Sequence, residues 1–268
     1  MKIKSPYLVK PHSKVRLNKI SSSDTGDFKS EDAAKALLAA HREQLADLQD
    51  VFYADQSKAL LIILQGMDSS GKDGTISHIF SGVNPQGCDV SAFKVPTPLE
   101  ARHDFLWRVH ARVPPRGMIG IFNRSHYEDV LSPRVHKLIS PDAANLRLDD
   151  INEFESFLAD SDVLILKFYL HISRDEQTRR LQSRIDDKKK NWKLSEADVH
   201  ERQFWPRYID AYDDILSSTS RKHAPWLIIP SDSKWYRNIA ISTIIVDLMQ
   251  SLNLKYPEPT IDLSTIKL

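Results

Sequence analysis

The 268 residues include a single cysteine, Cys88, which excludes an internal disulfide framework. No apolar run approaches the roughly 18 residues that a membrane-spanning helix needs. An excess of charge of one sign is also missing: Lys and Arg number 37 against 36 Asp and Glu, a formal net charge of +1. No global field therefore points to a nucleic-acid partner, and any polyanion site has to be local. The N-terminal MKIKSPYLVKPHSKVRL is basic but lacks the apolar core of a secretory signal. Internal repeats and low-complexity blocks are absent as well. What remains is the composition of a soluble globular chain, 41% hydrophobic and 27% charged, expected in the cytoplasm and away from membranes. Its length fits one α/β domain with insertions better than two domains.

Residues 1–30 are polar and turn-rich, ending in SSSDTGDFKS, and read as an extended arm ahead of the core. SEDAAKALLAAHREQLADLQDVFYA then places Ser30 as a helix N-cap and repeats Leu37, Leu38, Leu45, Leu48 and Phe52 at helical spacing. KALLIILQG is a short unbroken apolar run ending at glycine, the pattern of a strand buried on both faces. The same pattern recurs at GMIGIF (117–122), VLILKFYLHI (163–172) and WLII (226–229), with DVSAFKV near residue 90 as a further strand. Strands alternating with helices predict parallel pairing in a three-layer α/β sandwich, with ligands at the carboxyl ends of the strands. The single domain spans 31–256, and 257–268 form a surface tail.

The first buried strand runs into QGMDSSGKDGT, which carries the G-x-x-x-x-G-K spacing of a phosphate loop at Gly66, Gly71 and Lys72. A strand, this loop and a helix beginning near Thr75 would aim backbone N–H groups and a positive helix end at a phosphate, with Lys72 as a point charge. The cradle comprises Gly66, Ser69, Ser70, Gly71, Asp73, Gly74 and Thr75. Asp73 stands where a metal-holding Ser or Thr is expected, and is read as loop support or a cap of the helix with Thr75. Asp68 would repel a phosphate unless a cation lay between them, which makes Mg²⁺ the natural bridge. A second cluster follows GMIGIF: Asn123 at the strand end, Arg124 as a bidentate phosphate clamp or an i,i+4 partner of Glu128, and His126 as a structural residue. Charge balance for the metal then falls to Asp68, Glu128 or the phosphates themselves.

LEARHDFLWRVHARVPPRG places Arg102, Arg108, Arg112 and Arg116 on a helix and its exit, and Arg102 and Arg108 are the candidates for substrate contact. From Arg174 to Lys193, eight basic residues face four acidic ones. Leu181 and Ile185 give that helix an inward stripe, and Arg180 and Arg184 share a face before a lysine run breaks the pattern. The segment, about 174–206, reads as a lid of the kind that brings arginines to transferring phosphate and excludes water.

With the three clusters in order, the chain resembles the polyphosphate kinase 2 family from about Phe52 to the Tyr256 region. GMDSSGKDGT, GVNPQG, FLWRVH, FNRSHYEDVL, LKFYLHISRDEQTRRLQSR and APWLIIPSDSKWYRN carry the resemblance. It implies a P-loop kinase-like domain, related to thymidylate kinases, with an arginine-bearing helical lid. Such a domain moves the terminal phosphate of inorganic polyphosphate reversibly to a nucleotide with Mg²⁺, or Mn²⁺ in its place. It assigns Asp68 and Lys72 to the phosphate loop, Asn123 and Arg124 to the second motif, and Arg179, Arg180 and Arg184 to the lid. Asp68 and Glu128 become the carboxylates for the metal. FNRSHYED, with Glu128 and Asp129, is similar to members that accept both AMP and ADP, and the base preference extends to guanine nucleotides as an open alternative. The family also implies a homodimer or homotetramer. Ser132 and Pro133 depart from the apolar pair expected there. An ATP-dependent nucleotide kinase on the same scaffold, and a non-catalytic polyanion-binding or RNA-binding protein, are the rival readings.

Overall fold

In the computed structural model, which describes residues 3–266, the helical stretch after Ser30 forms α1 (Glu31–Asp55) and the apolar run forms β1 (Ala59–Gln65). They are followed by α2 (Lys72–Ile79), β2 (Cys88–Ala92), α3 (Trp107–His110), β3 (Ile119–Asn123), α4 (Glu128–Val135) and α5 (Pro141–Asp160). The second half contains β4 (Val163–His171), α6 (Arg174–Asp186), α7 (Glu196–Glu201), α8 (Trp205–Thr219), β5 (Trp226–Pro230) and α9 (Lys234–Ser251). The five strands pair in parallel in the order β2-β3-β1-β4-β5. β1 lies in the middle, and every one of its side chains is buried. Leu60, Ile62 and Leu64 enter the layer with α1 and α9. Ala59, Leu61 and Ile63 enter the opposite layer with α4, α5 and α8. Burial on both faces is why the strand reads as a continuous apolar run rather than an alternating one.

The connection after β1 crosses to the β2 edge, whereas that after β3 crosses to β4 on the other side. Loops that leave neighbouring strands in opposite directions open a crevice at the carboxyl ends of those strands. The pairing of Leu64 with Asn123 and of Gln65 with Tyr169 brings the ends of β1, β3 and β4 level at that crevice.

Three expectations need correction. The N-terminal arm is extended but belongs to the core. Leu8 bridges Leu227 antiparallel, closing the β5 edge, while Val9, Val15 and Leu17 are buried. Covering an edge strand removes its exposed hydrogen-bonding row, and these scattered apolar residues have no periodicity that would announce it. The 99–117 stretch is not one helix: only Trp107–His110 and a 3-10 turn at Glu100–Arg102 form. Asp104 accepts the Leu106 N–H, and prolines at 96, 98, 114 and 115 bound the segment. Ile185 is 52% exposed, so the inward stripe of α6 rests on Leu181 alone.

Helix α9 is core: Ile241, Ile245 and Met249 are fully buried within this one chain. Pro133, inside α4, cannot donate to the carbonyl of Asp129; Arg147 Nη1 donates to that oxygen instead. The described part of the tail beyond Tyr256 is exposed.

Candidate active site

The loop after β1 is built around its own carbonyl groups. Lys72, buried at the first position of α2, donates through Nζ to the carbonyls of Gly66 at 2.9 Å and Met67 at 3.4 Å. Gln177 Nε2 of α6 donates to Asp68 O at 3.0 Å. Arg180 Nη1 donates to Ser69 O and Ser70 O at 2.9 and 2.8 Å, and Arg237 Nη1 of α9 donates to Ser70 O at 3.1 Å. Every carbonyl from Gly66 to Ser70 thus has a side-chain donor, and the loop is held in one shape before any ligand arrives. Ser69 at φ +66° and Gly71 at φ +103° make the sharp turns, and a left-handed serine is the strain such a loop tolerates. The helix starts at Lys72, three residues earlier than expected, because left-handed Gly71 already ends the loop.

The hydroxyls of Ser69 and Ser70 are buried and have no hydrogen-bond partner among the described residues. Thr75 is spent on the loop, its Oγ1 donating to Gly71 O at 3.1 Å. Burial, with the Arg124 charge adding to it, lowers the pKa of Lys72 from 10.5 to about 8. Among the described residues Lys72 makes no ion pair in contact; its hydrogen bonds go to backbone oxygens, while Asp68, Glu128 and Asp73 act on its charge from farther off.

Opposite the loop, Arg124 follows directly on β3 with φ +63°, its N–H bonded to Leu64 O of β1 at 3.0 Å. Its guanidinium donates to Asp68 Oδ1 at 2.6 Å and stands 3.7 Å from Glu128 Oε2. The i,i+4 pair with Glu128 therefore exists, but at the mouth of the crevice rather than as a detached surface pair. Asn123 Nδ2 donates to Asp73 Oδ1 at 2.6 Å, which ties the end of β3 to α2 and makes Asp73 a support of the loop rather than a cap. Burial raises the pKa of Glu128, against the pull of Arg124 and Lys72.

One pocket joins these groups, lined by Gly66, Met67, Asp68, Arg124, Glu128 and Leu131, with Gln177, Glu201, Arg202, Tyr208 and Tyr212 from the far side. The last five were not singled out in the sequence. Glu201 is fixed by Tyr208 Oη, which donates to it at 2.6 Å, and by His136 Nε2 at 3.0 Å.

The other basic candidates divide. Arg108 is buried, donating to Asp129 and to Lys94 O, so it braces the turn after β3 instead of facing substrate. Arg180 is likewise buried: besides Ser69 and Ser70 it holds the carbonyls of Ser231 and Asp232 and pairs with Glu176. A side chain with all its donors engaged by protein cannot also swing onto a transferring phosphate. Arg179 is exposed and paired with Glu176, and Arg184 donates to Lys193 O. Arg102 is exposed and does not line the pocket. Gly74 packs close to Arg237.

A second buried lysine escaped notice in the sequence. Lys167, on β4, donates to Glu155 at 2.5 Å, to Tyr127 Oη at 2.9 Å and to Thr219 O at 2.7 Å, while His126 Nε2 lies 3.2 Å from Glu155. This cluster sits under the turn that carries Arg124 and makes His126 structural, as expected. One charge in an otherwise apolar strand was the available signal.

A parallel sheet whose central strand feeds a side-chain-braced G-x-x-x-x-G-K loop, faced by an arginine from the next strand, defines a phosphate-loop α/β protein. The family model of Polyphosphate kinase 2 (PPK2) matches residues 28–257, and the chain belongs to that family. It is 45% identical over 94% of its length to the AMP/ADP-polyphosphate phosphotransferase of Meiothermus ruber, covering 95% of that protein. It is also 43% identical over 97% of its length to the ADP-polyphosphate phosphotransferase of Rhodopseudomonas palustris, covering 94% of it. The crystal structure of Polyphosphate Kinase 2 from Arthrobacter aurescens TC1 superimposes with a TM-score of 0.93 at 40% identity, covering 98% of this chain and 96% of that one. No helix among the described residues is long and apolar enough to cross a membrane.

Proposed function

We propose that this protein transfers the terminal phosphoryl group of inorganic polyphosphate to AMP or ADP, giving ADP or ATP. The observation that carries the reading is Lys72, a buried cation whose partners are the loop's own carbonyls and not a carboxylate, beside two unpartnered serine hydroxyls. That is a site organised for an incoming anion. The names of the relatives in Meiothermus ruber and Rhodopseudomonas palustris support polyphosphate as donor, and AMP and ADP as acceptors.

The mechanism needs no covalent intermediate. The loop and Lys72 hold the donor's terminal phosphates, and Arg124 neutralises charge on the group in transfer. The acceptor's terminal phosphate, already a good nucleophile, enters from the Glu128 side of the pocket. Residues of the α7–α8 side, Arg202 and Tyr208 among them, wall off water.

Among the described residues no three His, Cys, Asp or Glu side chains gather as a metal cage. Asp68 and Glu128 on one pocket wall nevertheless suit Mg²⁺, which binds through one or two carboxylates, phosphate oxygens and waters. When bound it would screen phosphate charge, and Mn²⁺ would serve in its place. The protein acts in the cytoplasm as a homo-oligomer on this reading, and guanine nucleotides are further acceptors to assay.

The test is ATP formation from ADP, and separately from AMP, with Mg²⁺ and long-chain polyphosphate as the only donor. ATP from both acceptors supports the full reading. ATP from ADP alone keeps the donor and removes the dual-acceptor role of Glu128, and ADP alone from AMP marks a monophosphate-restricted enzyme. No product from a folded protein moves the reading to an ATP-dependent nucleotide kinase.

A further inference from the structure

Arg237 has no part in the mechanism above, yet it is one of the most constrained cations in the molecule. It is 2% exposed in the first turns of α9. Its Nη1 reaches Ser70 O at 3.1 Å, and Nε and Nη2 both reach Asn238 Oδ1, at 3.2 and 2.9 Å. Burial and the neighbouring charge of Arg180 push its pKa down to about 9, with no carboxylate opposing the shift. The loop is cut to admit it: a methyl group at Gly71 would lie 1.9 Å from Nη1 and 2.9 Å from Cζ. Gly71 is therefore required twice, for its positive φ and for the passage of this guanidinium.

A trans peptide points its carbonyl and its N–H in opposite directions. Holding Ser70 O from the α9 side therefore sends the Gly71 N–H towards the opposite face of the loop. Among the described residues Arg237 has no ion-pair partner, and a buried cation so placed also raises the electrostatic potential of the loop in a poorly screened setting. Arg180 does the same from α6, but with Glu176 as its counter-ion. We propose that Arg237 is a positioning residue for the polyphosphate donor, fixing the peptide that presents the Gly71 N–H and lending the phosphate loop an uncompensated positive charge from behind. The inference rests on the donor reading given above.

The experiment compares wild type, Arg237→Lys and Arg237→Met by calorimetric titration with tripolyphosphate alone, and by steady-state kinetics with polyphosphate and ADP. Circular dichroism and thermal melting check the fold. Loss of one charge-assisted hydrogen bond predicts tripolyphosphate binding weaker by on the order of tenfold in Arg237→Met, with a matching rise in donor KM. The ADP KM should stay within about twofold, and Arg237→Lys should recover part of the loss because it keeps the charge. Unchanged tripolyphosphate affinity in a folded Arg237→Met protein overturns the proposal. So does an equal rise in the KM of both substrates. If Arg237→Met does not fold, Arg237→Lys decides by the same two readings. Failure of both to fold overturns the proposal by making the residue a requirement of the fold. A wild type that binds tripolyphosphate but makes no ATP from polyphosphate refutes the donor reading, while the binding comparison still scores Arg237.

Discussion

Among the described residues two lysines, Lys72 and Lys167, are buried, and burial is the main reason that the pKa of each falls to about 8. Their surroundings differ in one respect. Lys167 is locked to a carboxylate, a phenol and a carbonyl in mid-sheet, so its charge is balanced inside the protein. Lys72, at the end of the sheet, hydrogen-bonds to carbonyls only, and the carboxylates of Asp68, Glu128 and Asp73 act on it without contact, which leaves it open to an incoming anion. A buried lysine in contact with its own carboxylate is architecture; Lys72, with no carboxylate in contact, is placed to meet a ligand.

Exchanging each lysine for methionine should break the comparison most sharply. Lys72→Met is expected to lower turnover with polyphosphate by on the order of 10²–10³ while leaving the melting temperature near that of wild type. Asp68→Asn should act in the same direction. Initial rates beside melting curves are the check, and a Lys72→Met enzyme with near-normal turnover would remove Lys72 from the mechanism.

Lys167→Met should do the reverse. Removing the Lys167 charge leaves Glu155 buried with only His126 and Tyr127 as partners, which is expected to cost about 3–5 kcal/mol of stability. Replacing Glu155 by leucine in the same chain should restore most of it. Urea unfolding of the single and double variants measures both, and additive losses would show that the pair is not the unit.

A smaller effect is the pH dependence. Lys72 must be protonated to neutralise phosphate, so kcat/KM for the donor is expected to fall as pH rises through about 8. Bound polyanion favours the charged form, and the limb in kcat should lie at higher pH. For stability the sign is opposite. Both folded lysines lose their protons below the unfolded value of 10.5, so between about 8 and 10.5 the unfolded chain binds more protons, and these residues favour the fold increasingly as pH rises. A pH–rate profile with a Lys72→Arg control separates the two.

The smallest effect belongs to the lid surface. Arg179→Ala and Arg184→Ala should each raise the polyphosphate KM by no more than about threefold and flatten its rise with salt, because exposed charges contribute little singly. KM measured across an ionic-strength series tests this. A loss of turnover with an unchanged KM would restore these arginines to the transfer step.

The site was partly legible because its main parts are contiguous. Residues 66–75 and 123–128 are each one turn at the end of an apolar strand, and spacing alone marks such turns. Arg180 and Arg108 show the limit of that method. Each lies in a basic run facing the right end of the molecule, and sequence cannot distinguish a guanidinium aimed at solvent from one bonded to five carbonyl and carboxylate oxygens. The arm was misread for a related reason: Val9, Val15 and Leu17 are apolar at no regular interval, because a strap laid across several elements has no period of its own.

Sequence by itself determined the parallel α/β class, the phosphate loop and its facing arginine, since strand burial and glycine geometry are local properties with local signatures. Only the tertiary structure decided what stands behind the loop. Arg237 meets Ser70 across 167 positions of chain and Arg180 meets it across 110. Contacts at such separation are set by how helices pack on the sheet, and no spacing in the sequence records them.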